Sequence, residues 1–406
     1  MNAPDWPGGA ERGGLSDGRQ GPSDLRETWG LRETWLQWRN RLLASPGFQR
    51  WASAFPLTRP LARRRARDLF DLCAGFVYSQ VLYACVELDL FGHLAGGPLE
   101  LRELAPRLGL SEARALRLLK AAESLDLVER VGPDRFDRER FNRERFALGE
   151  LGAALLGNGG VAEMVRHHAM LYRDLEDPVA LLRGTHSETA LGTYWAYAGG
   201  VPDSLDREGT RGYTDLMGAS QGLIAGDVLD AYSLARHRRL LDLGGGNGAF
   251  LTAVGTRWPR LELWLFDLPP VAEQARIRFE QGGLSGRVQI FGGDLFRDPL
   301  PTGADCCSLV RVIHDHDDPR ALAILKAARA ALPPDGVLLL AEPMSDTPGA
   351  RPIGEAYFGF YLLAMGSGRP RTPKELIGML REAGFGRARL VPTRRPLLTR
   401  LIVARP

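Results

Sequence analysis

The chain has 406 residues, 44% of them hydrophobic and 25% charged, which suits two or three folded domains and excludes wholesale disorder. A net charge of +3 is too small to make the whole chain a nucleic-acid binder. Its four cysteines, Cys73, Cys85, Cys306 and Cys307, have no paired spacing and read as reduced core thiols of a cytoplasmic protein.

Residues 1–24 are Gly, Pro and charge without an apolar stretch, so they read as a disordered tail and not a signal peptide. Residues 25–67 read as a basic arm. Between Asp24 and Arg67 ten arginines face only Asp24, Glu27 and Glu33, with Trp35, Trp38, Phe48, Trp51 and Phe55 interleaved. Two readings stay open for it: an arm packed on the body or on a partner subunit, or a segment drawn to anionic lipid. Pro46, Pro56 and Pro60 preclude one long amphipathic helix.

Residues 68–150 are expected to form a second domain. Its first helix, over 68–95, is apolar nearly all round, which suits a core or a dimer interface. The longest apolar run, 72–86, has about 15 residues, short of the ~18–20 that a membrane span needs. Two helices follow, one carrying Leu101, Leu104, Ala105, Leu108 and Leu110, the next capped by Ser111 and carrying Ala115, Leu116, Leu118 and Leu119. Strands at 127–131 and 135–136 complete a winged-helix pattern. The second helix offers only Arg114, Arg117 and Lys120 outward, interrupted by Glu112 and Glu123, so no nucleic-acid partner is expected.

Residues 151–235, rich in Met, Tyr and His, read as a helical linker and substrate lid. From 236 to 406 strands alternate with helices. Strands are expected at 240–243, 263–267, 288–291, 308–313, 337–341, 388–391 and 398–404, an α/β doubly wound sheet that gathers ligands at its carboxyl edge.

The first of these strands runs into Leu240-Leu-Asp-Leu-Gly-Gly-Gly-Asn-Gly-Ala-Phe250. Gly244-x-Gly246-x-x-Ala249 satisfies the dinucleotide pattern, so an NAD-dependent oxidoreductase must be weighed. Asp242 argues against it, because a carboxylate there repels a pyrophosphate at the helix N-terminus. It suits a ligand with an ammonium group and no phosphate, such as S-adenosylmethionine. Asp267, followed by Leu268, ends the second strand where a carboxylate holds ribose hydroxyls. Asp294 ends the third, where it can accept from an adenine amino group between Leu295 and Phe296. A strand-end cap is the plain alternative for each of the three.

Asp-Leu-Gly-Gly-Gly-Asn-Gly, Phe-Asp-Leu-Pro, Gly-Gly-Asp-Leu-Phe and Arg311-Val-Ile-His-Asp315 follow in an order and spacing that resembles the S-adenosylmethionine-dependent O-methyltransferases of the plant caffeate and microbial polyketide type. That resemblance spans about residues 68–406. It implies a homodimer built on a winged-helix-like domain, ahead of a Rossmann-like catalytic domain. The stretches 39–50, 70–80 and 356–369 look, within it, like the carotenoid-methylating members of purple photosynthetic bacteria. What this implies is a hydrophobic hydroxycarotenoid substrate, methylated at a tertiary hydroxyl, and an enzyme in the cytoplasm with possible contact with the photosynthetic membrane.

His314 is then expected to close the fourth strand as general base, since a hydroxyl attacking a sulfonium methyl must lose its proton. Glu342, ending the fifth strand, can hold the other imidazole nitrogen or act as a buried cap. Arg311 is assigned to the methionyl carboxylate, where relatives often carry a basic residue at the position of Val310. His316 stands where they commonly have Trp. No metal is expected, because His314 and His316 point to opposite faces of a continuing strand. Tyr357, Phe358, Phe360, Tyr361, Leu362, Leu363 and Met365, with Met164, Met170, Tyr172, Tyr194, Trp195 and Tyr197, are candidates for an apolar pocket, each equally at home in an ordinary core. Gly359, Gly366 and Gly368 are expected to let the backbone bend around a long ligand.

Overall fold

The computed structural model describes residues 30–132, 144–185, 188–195, 221–222 and 224–406. The tail 1–24, the start of the arm, the strand expected at 135–136 and Tyr197 lie outside the described residues. The chain divides into two units, Met1–Tyr78 and Ser79–Pro406.

In the first unit, α1 (Leu31–Ala44) and α2 (Pro46–Ala54) lead into α3 (Arg59–Glu87), which continues into the second. The prolines sit where the helices break. Pro46 opens α2, with the Ser45 hydroxyl accepting from the Phe48 N–H at 3.4 Å, and Pro60 lies in the first turn of α3. The helix expected to be buried at 68–95 begins earlier and is open on its first half: Leu69, Phe70, Leu72 and Phe76 are all exposed in the single chain. At 29 residues it is long and apolar enough, by length and composition, to cross a membrane. The apolar run read from sequence stopped at Leu72 because of Asp68 and Asp71, but a helix carries such charges on its surface without ending.

The second unit opens with α4 (Leu90–Leu94), then β1 (Leu99–Glu100), α5 (Leu101–Arg107), α6 (Glu112–Glu123), β2 (Val128–Val131) and β3 (Arg145–Leu148). The small sheet is antiparallel, in the order β1-β3-β2. β2 thus pairs with 145–148, ten residues beyond the partner expected from sequence. The helices α7 (Glu150–Leu156), α8 (Gly159–Asp174), α9 (Pro178–Leu182) and α10 (Ala190–Tyr194) follow, then residues 224–231 as α11. Asp174 ties this stretch together: its buried carboxylate accepts from the Ala190 and Leu191 N–H groups at 2.6 and 2.8 Å, at the N-terminus of α10.

The large sheet comprises β4 (Arg239–Leu243), β5 (Glu262–Asp267), β6 (Val288–Gly292), β7 (Cys306–Val310), β8 (Val337–Glu342), β9 (Arg387–Val391) and β10 (Arg400–Arg405). Its order is β6-β5-β4-β7-β8-β10-β9, parallel except for β10, which runs antiparallel to both neighbours. The helices α12 (Ala249–Arg257), α13 (Pro269–Gln281) and α14 (Asp318–Ala331) link parallel strands, and α15 (Gly359–Met365) and α16 (Pro373–Glu382) precede β9. Successive strand residues divide between two cores. Leu240, Cys306 and Leu339 pack with Phe250 and Phe279, whereas Leu241, Cys307 and Leu340 pack with Ile324 and Leu380. β7 and β8 are buried on both faces, as their largely apolar runs require. The strand order reverses at β4, with β5 on one side and β7 on the other, which opens a crevice at their carboxyl ends.

Candidate active site

The loop after β4 turns three times through left-handed backbone, at Gly244 (φ +66°), Gly246 (φ +58°) and Gly248 (φ +77°). Gly248 has a second constraint: a β-carbon there would lie 2.2 Å from the Phe279 ring. The turn brings the Gly246 N–H onto the Asp267 carboxylate at 2.7 Å, while the other Asp267 oxygen accepts from the Leu268 N–H at 2.7 Å. Asp242 is buried one strand away, and the Ser308 hydroxyl donates to it at 2.6 Å. Burial drives both carboxyls toward neutrality, opposed by those hydrogen bonds. Asp242, also beside the charge of Asp267, is pushed up to about 7, and Asp267 to about 6.

Asp294 is drawn into its own turn. One of its oxygens accepts from the Phe296 N–H at 2.8 Å, and the other faces Arg297 at 3.6 Å, so it shapes its own turn. That turn presents Phe296, which lies edge-on to His316 at 5.3 Å with the Arg320 guanidinium 4.0 Å over its face. Among the described residues the buried His316 Nδ1 has no hydrogen-bond partner. A nucleotide ligand fits this edge: carboxylates end β4 and β5, the glycine loop admits close approach, and an unpaired ring nitrogen stands beside Phe296.

The fourth strand of the sequence reading is shorter than expected. β7 stops at Val310, and Arg311 takes a left-handed conformation (φ +59°) that ends the ladder after one bond from its N–H to the Ala341 carbonyl at 2.8 Å. His314 therefore lies in a 3-10 turn, Ile313–Asp315, and not on a strand. Glu342 explains the turn. One oxygen accepts from the Val312 and Ile313 N–H groups at 3.0 and 2.7 Å, and the other bonds His314 Nδ1. The cap and the imidazole partner, alternatives in the sequence, are thus both occupied by one carboxylate.

Sequence reasoning missed the neighbour on the other side of the ring: Asp315 Oδ1 lies 3.0 Å from His314 Nε2. Burial of His314 opposes its charge, but the carboxylates of Asp315 and Glu342 outweigh it and push the imidazole up to about 10. Arg371, also unassigned from sequence, is buried beneath the turn and donates to the carbonyls of Ile313 and His316 at 2.8 and 2.7 Å and to Asp318 at 2.7 Å. Gly368 (φ +82°) packs so tightly that a β-carbon would fall 2.2 Å from the His314 carbonyl. Its glycine serves this contact rather than a bend around ligand, while the Arg369 N–H donates to the same carbonyl at 3.0 Å.

Facing the turn is an aromatic wall on the π-helical turn Ile353–Phe358 and on α15. Phe358 sits edge-on to His314 at 6.1 Å and to Tyr357 at 5.0 Å. Burial raises Tyr357 and Tyr361 far above an ordinary phenol, and the charge of Arg311, close to both, works against that rise. Tyr361, Trp195, Leu362 and Met365 form one buried cluster, with Met170, Tyr194 and Tyr357 packed on it. Leu363 is exposed.

The chain matches the O-methyltransferase domain family over residues 172–386 and the O-methyltransferase dimerisation domain over 70–158. It is 44% identical to the demethylspheroidene O-methyltransferase of Cereibacter sphaeroides over 366 residues, covering 90% of this chain and 93% of that one. Identity to the enzyme of the same name from Rhodobacter capsulatus is 41%, over 86% of this chain and 84% of that one. Among solved structures, human N-acetylserotonin methyltransferase in complex with SAM shares the fold, with a TM-score of 0.68 and 24% identity over 84% of this chain and 97% of that one. The mitomycin 7-O-methyltransferase MmcR aligns with a TM-score of 0.66 and 26% identity, over 86% of this chain and all of that one.

Proposed function

The chain belongs to the S-adenosylmethionine-dependent O-methyltransferases that carry an N-terminal dimerisation domain, and from that premise we propose that it methylates the tertiary hydroxyl of an acyclic hydroxycarotenoid. The observation that carries the substrate is the identity of 44% and 41% to two demethylspheroidene O-methyltransferases along most of the chain. Oxidoreductase and DNA-binding readings fall with the family membership.

S-adenosylmethionine, when bound, supplies a methyl on a sulfonium sulfur. In the proposed arrangement Asp267 and Leu268 take the ribose, Asp242 the amino group beside Gly244 and Gly246, and Arg311 the carboxylate. Leu295 and Phe296 flank the adenine, with Asp294 shaping that turn. The substrate hydroxyl enters at His314 Nε2 and displaces Asp315. Removing one of the two carboxylates that raise the imidazole lets burial bring it back to a range in which it accepts a proton. Glu342 keeps Nδ1 protonated and the ring oriented. His314 Nε2 would take the hydroxyl proton as the substrate oxygen accepts the methyl group. Tyr357 and Phe358, half-buried on the side of His314, would offer apolar surface to a polyene.

The dimerisation domain makes the enzyme a homodimer. We extend the proposal to the arm and to the membrane. A carotenoid dissolves in bilayers, and the arm offers exposed Trp35, Trp38 and Trp51 among its arginines. The arm lies ahead of the dimerisation match, which begins at residue 70.

Methyl-labelled S-adenosylmethionine offered with hydroxylated acyclic carotenoids and, separately, with catechols tests the substrate. Label in a carotenoid ether is expected. Label in catechols alone would replace the carotenoid with a phenol.

A further inference from the structure

Tyr357 and Tyr361 stand four residues apart, a spacing that puts both on one face of a helix. Each meets a histidine of α8. Tyr361 Oη lies 2.7 Å from His167 Nε2 and accepts the Trp195 Nε1–H at 3.1 Å. Tyr357 Oη lies 2.7 Å from His168 Nε2. With the phenol oxygen accepting from the indole and its proton given to the imidazole, His167 is the neutral Nδ1–H tautomer, the arrangement expected here. Burial, aided by the neighbouring His168, holds His167 down at about 4, and burial lowers His168 as well.

Phe358 follows Tyr357 and points to a different side of the π-helical turn. It lies against both Tyr357 and the His314 ring, so three ring contacts, His168–Tyr357, Tyr357–Phe358 and Phe358–His314, join α8 to the catalytic imidazole. An apolar cluster of the same shape could slide by a fraction of a turn at little cost. The buried Tyr361–His167 pair and the half-buried Tyr357–His168 pair resist it, because a slip breaks both hydrogen bonds and strands the Tyr361–His167 atoms away from water. From this we infer that the Tyr357–His168 and Tyr361–His167 pairs are positioning groups for methyl transfer, a latch between α8 and residues 353–365 that holds Phe358 against His314 and fixes the angle of the base. The inference rests on His314 as the base.

Histidine-¹⁵N-labelled protein, as wild type, Tyr357→Phe and Tyr361→Phe, tests it by NMR alongside single-turnover methyl transfer. His167 is expected as the Nδ1–H tautomer. Each substitution should move its partner histidine and also His314, and lower kcat by about five- to tenfold with unchanged S-adenosylmethionine affinity, since misplaced groups lose rate before binding. His168→Gln, whose amide can still pair with Tyr357, should keep at least half of kcat, and His168→Leu should not. His314 resonances and kcat both unchanged in the two Tyr→Phe variants overturn the latch. Shifted His314 resonances in a protein that transfers no methyl group to any hydroxyl substrate uphold the latch and overturn the proposed reaction instead.

Discussion

At His314 two carboxylates share one ring, and the consequence is visible in pH. The imidazole is raised above its ordinary range, so the proton-accepting form is lost as pH falls through that raised value. The acid limb of kcat/KM should therefore lie on the alkaline side of a free histidine. Asp315→Asn removes one raising charge and should carry the limb to lower pH; a limb that stays put would remove Asp315 from the account. Asp242 gives the opposite test. Its carboxyl, pushed up to about 7 by burial, must ionise to hold an ammonium group, so S-adenosylmethionine affinity should weaken on acidification below that value. Asp242→Asn should weaken binding by ~1.5–3 kcal/mol and leave only the shallower dependence from Asp267, near 6. Calorimetry between pH 5.5 and 8 reads both. Asp242, Asp267 and His314 were legible in sequence because strand ends and a glycine loop announce themselves. Asp315 was not: its reach to Nε2 depends on a 3-10 turn that an expected strand conceals.

That turn is an element built from a distance. The left-handed Arg311 that begins it carries no local signal, since arginine rarely adopts that backbone. Its causes are Glu342 on β8, 28 residues from His314, and Arg371 with Gly368 still further along. Short-range patterns cannot carry such information. The strands themselves were legible to within two residues at most ends, because apolar runs bounded by glycine and proline mark buried parallel strands. The pairing of β2 with Arg145–Leu148 was not legible, since four-residue strands carry little periodic signal. Gly368→Ala should expose the tightness of the catalytic turn. The added methyl meets the His314 carbonyl in left-handed backbone, which costs ~1–3 kcal/mol and displaces the base. Equal unfolding midpoints and equal turnover for wild type and Gly368→Ala would show the loop free to move aside.

For the whole molecule, the open face of α3, a helix that runs through the expected arm boundary at residue 67, was not legible in the sequence. An exposed helix and a buried one are both apolar in sequence; only the packing around α3 separates them. Removal of residues 1–67 distinguishes the two readings of the arm. A membrane arm leaves a folded dimer that no longer sediments with anionic vesicles, and salt should weaken the binding of the intact protein. A dimer clamp leaves monomers or aggregate in light scattering. Vesicle binding unchanged by truncation would retire the membrane role.

The central claim is that this chain moves a methyl group onto a hydroxycarotenoid oxygen with His314 as base. Single-turnover transfer from methyl-labelled S-adenosylmethionine to an acyclic tertiary hydroxycarotenoid, run side by side for wild type and His314→Ala, measures it. The account predicts labelled ether from the wild type and a rate lower by about 10²–10⁴ in the variant, at unchanged cofactor affinity. Turnover by His314→Ala above a third of the wild-type rate would contradict it.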